Sequence, residues 1–287
     1  MNASVLIRPL FHIFLLLLCI VCIAPLVLVI STSFTSEQSL VLNGYRLFPQ
    51  EFTVYAYKYV LKGTTLIYTS YGVTVLTTLV GTVLSLSITA MLAYPLSRQD
   101  FKLKSPLSFY IFFTMLFNGG LIPFYILVTQ YLHLKDTLWA LILPYLVQPF
   151  YVLLMRTFFS EIPASLIEAA KIEGAGEFRT FFQIVLPLST PILATVGLFM
   201  ALIYWNDWYL SLLFIDNHKL LTLQYLLVML TSNIDAMLNN PNSSMAVIPA
   251  ETSRMAMAVL AIGPIIFVYL FFQRFFVRGL TIGAVKG

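Results

Sequence analysis

The chain has 287 residues, of which 60% are apolar and only 10% charged. Soluble domains carry about 25% charged residues, and here the apolar residues fall in runs of about 20, so a soluble globular protein, a disordered tail and a disulfide-rich secreted module are excluded. The net charge of +4 is small and gathers on one side of the predicted spans, which makes it a topology signal rather than a nucleic-acid footprint.

A bilayer core about 30 Å thick takes about 20 apolar residues as a helix, and every main-chain polar group inside it must be satisfied. The first predicted span is 11–30. Arg8 precedes it, as in a signal peptide, but the run is longer than the usual core of one and no Ala-x-Ala-like site follows, so it reads as a retained anchor. Cys19 and Cys22 lie inside it on one helix face. With no His or second Cys pair nearby, they read as small hydrophobes rather than as a redox or zinc motif. An outer loop, 31–67, leads to a second span, 68–96, rich in Gly, Ser and Thr. After the basic turn 97–104 come spans 107–130 and 138–155, then a long inner loop, 156–186. The fifth span is 187–205, the long outer loop 206–254 and the sixth span 255–276. Within that outer loop, 220–230 is apolar but too short to cross, and reads as a surface or re-entrant helix. Asn242-Ser243-Ser244 matches a glycosylation sequon short enough for chance to explain. The whole chain, 1–287, reads as one transmembrane domain.

Orientation follows from Lys and Arg. With the N-terminus inside, Arg8, Arg98, Lys102, Lys104, Arg156, Lys171, Arg179, Arg274, Arg278 and Lys286 fall on the cytoplasmic side, close to span ends. The remaining Lys and Arg are spread over long outer loops, where charge matters less. The expectation is an all-α polytopic membrane protein with six transmembrane helices and both termini cytoplasmic.

Several chemistries are missing. There is no Gly-x-x-x-x-Gly-Lys-Ser/Thr phosphate loop, no His-Glu-x-x-His and no Gly-x-Ser-x-Gly. His12, His133 and His218 are scattered at span ends or in loops. The span cores contain no Asp, Glu, Lys or Arg, so the usual means of coupling transport to protons is absent. A solute moved uphill by this chain would draw energy from another subunit.

The inner loop is the most informative stretch. Residues 161–176 read Glu-Ile-Pro-Ala-Ser-Leu-Ile-Glu-Ala-Ala-Lys-Ile-Glu-Gly-Ala-Gly. Pro163 suits the first turn of a helix and Gly174 the left-handed position that ends one. The helix between them is too polar to span. A second short helix is predicted over 177–183, with Leu186-Pro187 starting the fifth span. Ala169 and Ala170 are small enough to let another backbone approach, and Glu168 offers a charge to a cationic partner, which suits docking better than an idle amphipathic surface helix.

Here the pattern resembles a family. Glu168-Ala169-Ala170, Gly174, Ile184 and Leu186-Pro187 stand at the spacings of the signature loop of ABC importer permeases, with no departure. The resemblance implies the type I ABC importer permease (MetI-like) fold. It implies that Glu168, Ala169, Ala170, Glu173, Gly174, Ile184, Leu186 and Pro187 form or support a coupling helix seated in a cleft of a cytoplasmic ATPase. It also implies the partners: a second, homologous permease subunit, two ATPase subunits that hold the ATP and Mg, and an extracellular sugar-binding protein, all at a bacterial cell membrane. No cofactor in this chain and no nucleic acid are expected, and the chain is not expected to be an enzyme.

Trp205-Asn206-Asp207-Trp208 resembles the Trp- and Asn-rich segment of sugar permeases related to the maltose-transporter permeases. Ser253-Arg254-Met255-Ala256 and the ending Gly279-Leu280-Thr281-Ile282-Gly283-Ala284-Val285-Lys286-Gly287 resemble a branch associated with polysaccharide or oligosaccharide uptake. Sugars present hydroxyls and apolar ring faces, so a site for them combines aromatic platforms with hydrogen-bonding groups. Candidates are Asn118, Tyr125, Gln148, Tyr151, Tyr204, Trp205, Asn206 and Trp208. The competing reading is an interfacial aromatic belt, with Asn118-Gly119-Gly120 only a kink or a close helix contact. Asp207 reads as a polar residue at the outer boundary. Pro123, Pro144, Pro149 and Gly263-Pro264 are gating hinges or fixed kinks.

Overall fold

The computed structural model describes residues 3–62, 66–238 and 249–283. The sequon at Asn242 and residues 284–287, with Lys286, lie outside them. The described residues are helical apart from turns and one isolated antiparallel bridge, Thr35 to Phe52.

The chain order is α1 (Ala3–Ser33), α2 (Glu37–Asn43), α3 (Tyr55–Lys62), α4 (Leu66–Ser97), α5 (Lys104–Leu116) and α6 (Leu121–Ile126), which widens into a π turn over Leu127–Tyr131. Then come α7 (Leu138–Ile142), α8 (Pro149–Ser160), α9 (Ala164–Ile172), α10 (Glu177–Thr180), a π turn over Phe181–Val185, and α11 (Leu186–Leu188). Last are α12 (Thr190–Trp205), α13 (Tyr209–Phe214), α14 (Leu223–Leu238) and α15 (Ala250–Gly283). Among the described residues, three helices are long and apolar enough to cross a bilayer singly: α1 over Phe11–Ser33, α4, and α15 over Ala250–Val268. Three bent pairs reach that length only when each is taken as one span.

The bends have local causes. Between α5 and α6 the chain turns by 111° through Asn118-Gly119-Gly120, residues with weak helix propensity. Gly120 sits at φ +87°, where a side chain would be strained, and its N–H donates to Asn118 Oδ1 at 2.8 Å. Before α8, Gln148 is extended at φ −102°, ψ 112°, as the ring of a following proline demands; this bend is 49°. The third bend, 82°, falls at Ser189. Leu186-Pro187, where the fifth span is predicted to start, ends one helical segment, and Pro191 opens the next within its first turn, where a missing N–H costs nothing. The apolar stretch at 220–230 becomes the first half of α14, which runs on to Leu238.

The chain divides into two compact units, Met1–Ile67 with Leu227–Pro264, and Tyr68–Leu226 with Ile265–Gly287. In the first, Ser36 caps α2 by accepting the Ser39 N–H at 3.2 Å. Glu37 accepts the N–H groups of Glu251 and Thr252 at 3.1 and 3.0 Å, and the Thr252 hydroxyl at 2.7 Å. That carboxylate caps α15 and complements its positive end, which is why the helix begins before the predicted start of the sixth span. Arg254 pairs with Glu251 and Asp235. Cys19 and Cys22 are exposed free thiols.

In the second unit one core joins α4, α8, the π turn at Phe181–Val185 and α12. Ala90, Ala93, Tyr94 and Leu96 pack with Val152, Met155, Phe159, Phe181, Val185, Ile192, Val196 and Met200. The predicted Gly/Ser/Thr-rich character of α4 has a packing use. At Gly81 a Cβ would sit 2.5–2.7 Å from the Tyr204 ring, so only glycine lets that ring lie against the helix.

Candidate functional site

The loop helix α9 follows Pro163, which stands just ahead of the first turn at φ −54°, ψ 126° rather than within it. Ile167 and Ala170 are buried, while Glu168, Ala169, Glu173 and Gly174 are exposed. Ile172 is 87% exposed. Successive helix positions lie about 100° apart, so Ala169 and Ala170 do not present one small-residue surface as the sequence suggested: Ala170 faces its own bundle and Ala169 faces out. Gly174 closes the helix at φ +80°. Its N–H donates to Lys171 O at 3.0 Å, and that of Ala175 to Ala170 O at 2.9 Å, a left-handed glycine termination. Ile184 and Leu186 are half-buried and Pro187 is exposed. Leu186 packs on the core behind the loop.

Beside this loop lies a charged cluster that the sequence did not reveal. Lys171 Nζ pairs with Glu177 Oε1 at 3.0 Å and Asp100 Oδ2 at 3.2 Å. Asp100 also pairs with Arg98 at 3.1 Å, and the Tyr94 hydroxyl donates to Glu177 Oε2 at 2.7 Å. The Tyr94 bond and Lys171 hold the Glu177 carboxyl below the usual range. Arg98, then Lys171, does the same for Asp100. The two carboxylates in turn raise the Lys171 ammonium. Each group therefore stays charged near neutral pH. A cavity of about 450 Å³ opens alongside, lined by Tyr94, Arg98, Asp100 and Glu177 together with Met91, Pro95, Phe101, Phe178 and Phe181.

A second polar cluster surrounds Asp207, which is only 7% exposed rather than at a wet boundary. Its Oδ1 accepts the Tyr145 hydroxyl at 2.9 Å and the Leu210 N–H at 3.3 Å, and Oδ2 has no partner among the described residues. Burial raises its pKa above the usual aspartate range. Its main-chain oxygen accepts the Thr222 hydroxyl at 2.9 Å, the Thr222 N–H donates to Ser211 Oγ at 3.2 Å, and the Leu223 N–H donates to Thr74 Oγ1 at 2.8 Å. These bonds tie α13 and the start of α14 to α4.

The candidate pathway residues fall into three settings. Tyr204 and Trp205 are buried. The Tyr204 hydroxyl donates to Ile142 O at 2.9 Å and lies 2.9 Å from Ser85 Oγ. Tyr125 stacks on Phe214 and Tyr151 on Phe199, with ring centres 5.7 and 6.0 Å apart; both tyrosines and Gln148 are half-buried. Asn118, Asn206 and Trp208 are exposed. Asn118 is engaged by Gly120 and Asn206 donates to Leu202 O at 2.9 Å. Trp208 packs edge-on against Tyr209. Among the described residues no group of three His, Cys, Asp or Glu could hold a metal ion.

A broken-helix bundle with an outward-facing Glu-Ala-Ala helix belongs to a recognised class. Residues 86–282 match the family described as binding-protein-dependent transport system inner membrane component, and the chain belongs to that family. It is a membrane permease subunit of an ABC transport system rather than an enzyme; ATP hydrolysis belongs to a partner ATPase. The chain is 39% identical over 277 residues to the polygalacturonan/rhamnogalacturonan transport system permease protein YtcP of Bacillus subtilis, covering 96% of both. It is 32% identical to the arabinooligosaccharides transport system permease protein AraQ of Halalkalibacterium halodurans, covering 93% of this chain and 92% of that one. Its fold matches a chain of a crystal structure of a bacterial ABC transporter involved in the import of the acidic polysaccharide alginate, with a TM-score of 0.81 and 29% identity over 96% of this chain and 99% of that chain. These likenesses bear out the expected MetI-like permease fold.

Proposed function

We propose that this chain forms half of the translocation pathway of an ATP-driven importer for an oligosaccharide, and that the loop containing α9 couples it to the ATPase. The observation that carries the coupling reading is the division of α9. Ile167 and Ala170 anchor it to its own bundle, and Glu168, Ala169, Ile172 and Glu173 are left facing outward at the end of the bundle that bears the charged cluster. In this reading the loop and both termini are cytoplasmic, six spans cross the membrane, and a second homologous permease completes the pathway. ATP and Mg reside on two ATPase subunits, and an extracellular binding protein delivers the sugar. Alternating access then follows from rocking of the helices about a central site.

The relatives' names favour carbohydrate: polygalacturonan/rhamnogalacturonan, arabinooligosaccharides and the acidic polysaccharide alginate. The half-buried rings of Tyr125 and Tyr151 and the exposed Trp208 offer the flat faces that sugar rings stack on.

The test is uptake and ATP hydrolysis by the reconstituted transporter, with oligogalacturonate, arabino-oligosaccharide and a dipeptide as probes. A sugar should stimulate both activities and the dipeptide neither; the reverse would transfer the chain to a non-sugar solute. Glu168→Ala and Gly174→Pro should insert normally and lose stimulation. Gly174→Pro demands a negative φ where the chain has +80°, so it misplaces the end of α9. Retained stimulation in both would remove the loop from the transmission.

A further inference from the structure

The end of α9 is held by ion pairs rather than by packing. Its buried residues are Ile167 and Ala170 alone, both on one face. Beyond its last turn, the corner to α10 contains Gly174 and Gly176, and neither glycine has a heavy atom within 4 Å of where a Cβ would stand. A corner of that kind turns easily. Lys171, in the last turn of α9, reaches across it to Glu177, the first residue of α10, at 3.0 Å. The same ammonium reaches Asp100, in the turn between α4 and α5, at 3.2 Å. Glu177 is bound in turn by Tyr94 and Asp100 by Arg98, both from the last turns of α4 or just past it. The bonds close a circuit from α4 through α10 and α9 back to the turn after α4. The 450 Å³ cavity that Tyr94, Arg98, Asp100 and Glu177 line lies on this circuit, so close-packed side chains do not fill the space beside it.

We infer that Lys171 is a positioning residue, a brace that makes α9 move together with the end of α4. In the chain, α9 is continuous only with α8 and with the segment leading to α12. Without the brace, a push on α9 would reach α4 only through the core behind the loop or round the glycine corner to Glu177 and its bond to Tyr94; with it, the push is also delivered straight from Lys171 to Asp100 and Glu177. This rests on the proposed docking of the ATPase at α9, and it adds a second route by which that docking reaches the spans. Lysine suits the task because one ammonium with three donors can serve two carboxylates.

The experiment uses the assembled transporter, purified with its ATPase, and needs no sugar. Hydrogen exchange at 164–172 and at 98–103 is compared with and without ATP plus vanadate, which holds the ATPase closed. In the wild type both segments should change. In Lys171→Gln and in Asp100→Asn, 164–172 should still respond, while the response at 98–103 should shrink about three-fold or more. The double variant should be no worse than Lys171→Gln alone, because that change already removes the pair with Asp100. Lys171→Arg should behave as the wild type. A full response at 98–103 in Lys171→Gln overturns the brace while leaving the docking intact. No response at 164–172 in the wild type overturns the docking itself. A loss in Lys171→Gln that Lys171→Arg does not restore overturns the role of the charge.

Discussion

The same helix, α4, serves two carboxylate clusters of opposite character. Toward its start Thr74 binds the segment that encloses Asp207; at its end Tyr94 and Arg98 bind Glu177 and Asp100. At 1.5 Å per residue the two lie roughly 30 Å apart along the axis, the thickness of a bilayer core. At the loop end each carboxylate has a cation, water has access, and charge is retained. At the other end the carboxyl is buried among Tyr145, Ser211 and Thr222 with no cation beside it, and burial favours its neutral form. Ion pairs open to water are worth little and can be remade; a buried hydrogen-bonded cluster is costly to disturb. The first suits a surface that engages and releases a partner, the second a joint that stays closed while it does so.

The sharpest way to break this comparison is at the rigid end. Gly81→Ala should destabilise by about 2 kcal/mol, because the added methyl would overlap a Tyr204 ring that Ser85 and Ile142 hold in place. Thermal unfolding of the purified protein reads this as a clear fall in Tm. An unchanged Tm would mean the joint is loose. Next in size is Tyr145→Phe, which takes the hydroxyl from Asp207 and leaves a buried acceptor short of a donor, at a cost of about 1–2 kcal/mol. It should leave assembly with the ATPase untouched.

Much of this architecture can be read in the sequence because bilayer spans announce themselves. The run at 68–96 became α4 within two residues of its predicted limits, the run at 11–30 lies inside the longer α1, and Gly174 ended α9 as its residue type demands. What could not be read shares one cause, dependence on residues distant in the chain. The start of α15 is set by Glu37, more than 200 positions earlier. Lys171 looked like one more basic residue of an inner loop until Asp100, 71 positions away, came beside it. Asp207, next to exposed Asn206 and Trp208, is enclosed by partners from other parts of the chain, Tyr145, 62 positions earlier, and Thr222, 15 positions later. The bends were half legible: the prolines and glycines were visible, but not that Pro191 rather than Pro187 would open α12.

A smaller effect separates the clusters by pH. The Asp207 pKa is raised, so its contribution to stability is present below the usual aspartate range and is lost as pH rises through the folded value. Asp207→Asn keeps an acceptor for Tyr145 and Leu210 and cannot ionise. Relative to wild type, its Tm should therefore rise as pH is taken from about 4 to about 8. A difference that stays flat would mean the carboxyl is as wet as those at the loop end.

The smallest effect, and the converse one, belongs to Asp100 and Glu177. Their pKa values are lowered, so their contribution is present above the usual carboxylate range and is lost as pH falls through it. Both side chains are more than half exposed, and water screens what they gain. Asp100→Asn should hardly move Tm at neutral pH, and what shift there is should vanish at about 0.5 M salt, where the screening length is only a few ångströms. A large, salt-resistant fall would show that these pairs clamp the fold as the Asp207 cluster does. A negligible one, combined with lost transmission from α9 to 98–103, would mark charges kept for passing on movement rather than for holding the protein together.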